Sequence, residues 1–148
     1  MIIHPLDPRE GRHGNNVVAP VAAGLNYSYT PPNYVWCEML NLHIHLTTDA
    51  TVANRRLAAY LDPVANPQFN ITLPALQSAS LTYDYYFGRG MCFVSTTMSL
   101  LNFTTGWPDR LLFQAPFGIH TLIDGLQAGD QITLARLHYV HWQDPVLL

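Results

Sequence analysis

From Tyr34 to Thr48 the chain reads YVWCEMLNLHIHLTT, its longest run of regular alternation. Tyr34, Trp36, Leu40, Leu42, Ile44 and Leu46 share one parity, broken only by Glu38, and Val35, Cys37, Met39, Asn41, His43, His45 and Thr47 share the other. Side chains on a strand alternate between two faces, so the stretch predicts a long strand with one apolar face. On this reading Trp36, Leu40, Leu42 and Ile44 belong to the core.

The same period predicts shorter strands over Asn26–Thr30, Val52–Leu61, Phe69–Leu73, Leu81–Phe87, Met91–Ser95, Leu111–Phe113, Ile119–Ile123 and Ile132–Trp142. Helix competes at VANRRLAAYL, because Ala, Arg and Leu favour it, and the strand-rich neighbours decide for strand. In the last segment Ile132 and Leu134 share one parity while Leu137 and Tyr139 share the other. A bulge near Ala135-Arg136 would bring all four to one face. Pro31-Pro32-Asn33, Asp62-Pro63, Gly88-Arg89-Gly90 and the run from Gly125 to Asp130 supply turns. Many short strands, turn signals about every 8–12 residues and no amphipathic helix predict an all-β, jelly-roll-like antiparallel β-sandwich.

Residues 1–24 lack this periodicity and carry Pro5, Pro8, Gly11, Gly14, Pro20 and Gly24. They read as an extended N-terminal arm, disordered or laid along a partner, in front of a single sandwich domain over 25–148.

Composition narrows the function classes. Of the 148 residues 49% are hydrophobic and only 11% charged, with formal net charge −3, against about 25% charged in ordinary soluble domains. All seven basic residues are arginines, and no basic run exists to neutralise a phosphate backbone, so nucleic acid is not an expected partner. No stretch approaches the roughly 20 apolar residues of a membrane helix, and the first residues lack a signal-peptide pattern. Low charge favours association, so the expected setting is an assembly of copies or subunits. Cys37 and Cys92 fall on predicted strands and read as buried thiols rather than a disulfide.

His43 and His45 form the sharpest chemical feature. Histidines at i and i+2 on a strand share a face, and both rings can reach one metal ion. A cupin-type site would add a downstream acid and a third, distant histidine. Asp49, His120 and His138 are available, but no glycine precedes the pair at the cupin spacing. The pair is therefore expected at a surface or subunit contact, with no cofactor. Neither cysteine lies in a nucleophile setting and there is no GxSxG or phosphate-binding loop, so an enzyme is not expected. Asp84 in LTYDYYF admits a general acid in a pocket, but reads rather as a satisfied acid on an exposed face. Tyr27, Tyr29, Tyr83, Tyr85 and Tyr86 invite a glycan- or receptor-binding reading, with core and interface packing the commoner role of such residues.

Four segments together carry a resemblance: GLNYSYTPPNYVW from Gly24, TTDATVANRRL from Thr47, SLTYDYYFGRG from Ser80 and LIDGLQAGDQITLARLHYV from Leu122. In this order and spacing the chain resembles small virion proteins of tailed phages, β-sandwiches of the capsid decoration (cement) kind. The resemblance spans about Gly24 to Val140, excludes the arm and the tail from Asp144, and departs at LLFQAPFG, Leu111 to Gly118. It implies a homotrimer or homodimer that binds the major capsid protein on the capsid surface, assembled in the host bacterial cytoplasm. A head–tail adaptor or tail structural protein is the alternative within the virion.

Overall fold

The computed structural model describes residues 11–62, 69–73, 76–90, 102–107 and 110–143. They form ten strands: β1 (Arg12–Val18), β2 (Ser28–Tyr29), β3 (Val35–Thr47), β4 (Arg56–Asp62), β5 (Phe69–Thr72), β6 (Thr82–Arg89), β7 (Asn102–Trp107), β8 (Leu112–Phe113), β9 (Gly118–Asp124) and β10 (Gln131–Gln143). The strand expected over Met91–Ser95 lies outside the described residues, as do residues 1–10 of the expected arm.

Two sheets pack face to face as a β-sandwich. The larger has the order β1-β10-β3-β6-β7, with β8 also paired to β3; the smaller has the order β2-β9-β4-β5. The pairs nest: β1 with β10, β2 with β9, β3 with β6 and β4 with β5, all antiparallel. Successive pairs alternate between the sheets, as in one long hairpin folded at β4–β5 and rolled up, which is the jelly-roll arrangement. The β10–β3 and β9–β4 pairings close each sheet. Among the described strands only β6–β7 runs parallel.

Leu42, Ile44 and Leu46 of β3, Tyr85 and Phe87 of β6, and Ile132, Ala135 and Leu137 of β10 fill the interior from the larger sheet. Leu57, Ala59 and Leu61 of β4, with Ile119 and Ile123 of β9, meet them from the smaller one. Each set follows the two-residue period, apart from one bulge in β10 between Ile132 and Ala135, so burial of these faces holds the layers together.

Besides β7, which the sequence reading lacks, three details differ from it. Residues 12–18, read as part of an arm, are the edge strand β1, in register with β10 from Arg12↔His141 to Val18↔Ala135. RHGNNVV has little apolar alternation; the open hydrogen-bonding edge of β10 supplies the order that side chains do not. Second, the apolar parity of β3 breaks at Leu40. Opposite β10, His138 pairs with Asn41 and Tyr139 with Met39, so Leu40 is the extra residue of a bulge. Cys37 and Met39 are consequently the fully buried residues of the first half, while Trp36 and Leu40, expected in the core, are only half-buried. Third, the bulge of β10 falls at Thr133, where Ile132 faces Leu46 and Leu134 faces His45. Leu134 and the two histidines thereby share the outer face.

Cys37 is a free thiol in the core, and burial pushes its pKa up to about 11 against the opposing hydrogen bond with Tyr29. Such a thiol is unreactive at neutral pH.

Candidate functional site

The inward set Leu42, Ile44 and Leu46 leaves His43 and His45 on the outer face of the larger sheet. The register of β3 against β6 puts Asp84 directly across from His45 and Tyr86 across from His43. Residues facing one another across antiparallel strands have Cβ atoms about 4.5–5.5 Å apart, within reach of a carboxylate and an imidazole.

Both rings converge on one atom. His43 Nε2–H donates to Asp84 Oδ1 at 2.6 Å, and His45 Nδ1–H donates to the same oxygen at 2.8 Å. His45, nearer along the strand, uses its proximal nitrogen, and His43, two residues away, uses its distal one. The His43 ring lies flat on Tyr86, with centroids 4.4 Å apart and planes 10° from parallel, which fixes its direction. The side chains are partly open to solvent, at 18% for His43, 26% for Asp84 and 35% for His45. Burial opposes ionisation of Asp84, but the hydrogen bonds and charge of the two histidines outweigh it and hold its carboxyl below the ordinary carboxylate range. Exposed Arg136 of β10 stands opposite His43 on the other side.

The other residues considered for a metal set lie elsewhere. Asp49 accepts from Arg55 Nη2 at 2.7 Å. His138 faces Asn41 on β10. His120 is on β9, in the opposite sheet, where its Nε2–H donates to Asp62 at 3.0 Å, the Ser28 hydroxyl donates to its Nδ1 at 2.8 Å and its ring stacks on Tyr60. Asp84, the partner that brings the histidines together, was read from sequence only as a satisfied surface acid. Its place among the outward residues of LTYDYYF was visible, but which strand lay beside it was not.

Ser28, His120 and Asp62 repeat the order of a serine hydrolase relay with the two ring nitrogens exchanged. Such a relay also needs amide donors aimed at a developing oxyanion. At this place the amides serve the sheet: Thr121 N–H donates to Tyr27 O, and Tyr27 N–H to Thr121 Oγ1. The set therefore reads as a cross-strand polar ladder.

A buried ionic cluster closes one end of the sandwich. The Arg55 guanidinium, fully buried, donates from Nε and Nη2 to the two oxygens of Asp130, both at 2.8 Å. Its remaining donors reach Asp49, Thr51 O and Ala53 O, so all five N–H groups are used. Asp130 also accepts the amides of Asp49 and Gln127. Burial raises the Asp130 pKa, but the Arg55 hydrogen bond, these amides and the Arg55 charge prevail and leave it lowered. Beside the cluster, buried Gln77 pairs through its backbone with Arg55, donates its amide to Leu46 O and Leu81 O, and accepts from the Tyr85 hydroxyl. This complete satisfaction marks a structural clamp between the sheets.

The tyrosines do not make a common exposed face. Tyr27 and Tyr85 are buried, Tyr29 stacks on Tyr139, Tyr83 packs on Phe103, and Tyr86 lies outside under His43.

No family model matches the chain, and no curated protein matches it.

Proposed function

We propose that this chain is a structural protein of a tailed-phage virion, a decoration protein that binds the outer surface of the capsid and stabilises the shell. The observation that carries the reading is a rigid jelly roll with a charge-poor exterior. Val17, Leu25, Tyr34, Val52, Leu76 and Leu122 are exposed apolar residues on a chain with no lysine. Such a surface suits attachment by area and shape rather than by a few charges. The resemblance of the four segments supports the same class. Jelly rolls also serve lectins and cupins, so the fold alone does not choose among these roles. The partners on this reading are the major capsid protein and further copies of the chain, as homotrimer or homodimer. β1, the edge strand of the larger sheet among the described residues, offers a strand to which a neighbour can add.

Copy number tests the proposal. Quantitative mass spectrometry of purified particles is expected to find the protein in numbers comparable to capsomers, and electron microscopy to place it on the shell. A handful of copies at the portal vertex would replace this reading with that of a head–tail adaptor, and copies confined to the tail with that of a tail protein.

A further inference from the structure

We propose that His43, His45 and Asp84 form a binding site for a divalent first-row transition metal ion of the zinc class, open to solvent on the outer face of the larger sheet. The reading does not depend on the virion assignment. Two imidazole nitrogens and a carboxylate oxygen, all within 4.8 Å of one another, are the donor set that zinc and its neighbours take, whereas calcium and magnesium prefer oxygen alone.

The site is preorganised in three ways. The strand pleat puts both histidines on one face, and the β3–β6 register brings Asp84 to them. Stacking on Tyr86 holds the His43 ring in the direction of the shared point. The nitrogens that meet there are the ones each ring's distance from Asp84 allows, Nε2 of His43 and Nδ1 of His45. In the metal-free protein these nitrogens carry the protons donated to Asp84. To take an incoming cation each ring moves that proton through water to its other nitrogen, so that Nε2 of His43 and Nδ1 of His45 present lone pairs, with the carboxylate as the charged ligand. Three protein ligands on an open face leave the remaining coordination positions to water, as in zinc sites with an open position. Arg136, the cationic neighbour, is exposed and free to turn its charge into solvent.

The full chain, stripped with chelator and dialysed, is titrated with Zn2+ by calorimetry and with Co2+ by visible absorption. One ion per chain, a Co2+ ligand-field band and a raised melting temperature with Zn2+ are expected. His45→Ala and Asp84→Asn are each expected to weaken binding by more than the roughly 10–100-fold that loss of an outer hydrogen-bond partner costs a metal site. His120→Ala, in the opposite sheet, is expected to bind as the unaltered protein does. Circular dichroism checks that the variants fold. Should Asp84→Asn fail to fold, His45→Gln, at the most exposed of the three positions, decides the question. Absence of saturable binding, or binding unchanged in a folded His45 variant, overturns the proposal.

Discussion

Asp130→Ala is expected to destabilise the protein by about 3–5 kcal/mol, the cost of leaving a buried charge without its partner. At this chain length each kcal/mol moves the melting temperature by roughly 2–4 °C, so a loss on the order of 10 °C should appear in a thermal melt. Two losses combine. Arg55 is fully buried and loses two of its five hydrogen bonds. The amides of Asp49 and Gln127 lose their acceptor. Asp49, still bonded to Arg55 Nη2, offsets part of the charge and keeps the effect from growing further. The double variant Arg55→Met with Asp130→Leu should recover part of the stability, because it removes the stranded charge. It should not recover all of it, since the carbonyls of Thr51 and Ala53 and the two amides remain unpaired.

The pH dependence of the same variant has a definite sign. The Asp130 pKa is lowered in the folded state, so its contribution is fully present above the ordinary carboxylate value of about 3.9 and fades as pH falls through the lowered one. The stability gap between the natural protein and Asp130→Ala should therefore be constant near neutrality and narrow below about pH 4. A gap of under about 1 kcal/mol at pH 7, measured by denaturant titration, would show that the cluster does not clamp the sheets.

The second large effect separates two adjacent residues. Met39→Ala is expected to cost about 2–5 kcal/mol, the range for emptying a buried large side chain, whereas Leu40→Ala should cost about 1 kcal/mol. The difference follows from the bulge, which buries Met39 completely and leaves Leu40 half-buried. Without the bulge the order would be reversed. Chemical denaturation of both variants checks this, and equal costs, or a larger one at Leu40, would refute the assigned register.

Those residues also show how far the sequence could be read. Alternation located β3, β4, β6, β9 and β10, because each turns a largely apolar row against the other sheet. It failed within β3 because Leu40 is apolar and continues, by parity, the row from Trp36 to Leu42. A bulge belongs to a pair of strands, and its position is not contained in either one. The same limit moved the bulge of β10 from the expected Ala135-Arg136 to Thr133: Leu134 looks like a core residue but lies outward, opposite His45. β1 was missed because RHGNNVV is ordered by its neighbour's hydrogen bonds. β7 was missed because NFTTGW is short and shows little apolar alternation; Phe103 packs on Tyr85.

At the candidate site, the histidine pair was legible from spacing alone and Asp84 was not. The two segments lie some forty residues apart in the chain, and their contact depends on which strands become neighbours. Sequence periodicity assigns a side chain to a face; only topology chooses the residue standing beside it. Arg55 and Asp130 illustrate the same point, since neither lies in an apolar row and their encounter joins the start of β4 to the turn before β10.

The place of β10 between β1 and β3 bears on how the molecule is made. Synthesis proceeds from the N-terminus, so β1 and β3 leave the ribosome long before the strand that separates them. Until residues 131–143 emerge, β1 has no neighbour in its sheet, and the larger sheet remains two unconnected parts. Joining the two parts of the larger sheet is therefore a late event. Contacts this distant in sequence place such a chain among the slower folders, and its nascent strands spend translation with their pairing edges exposed.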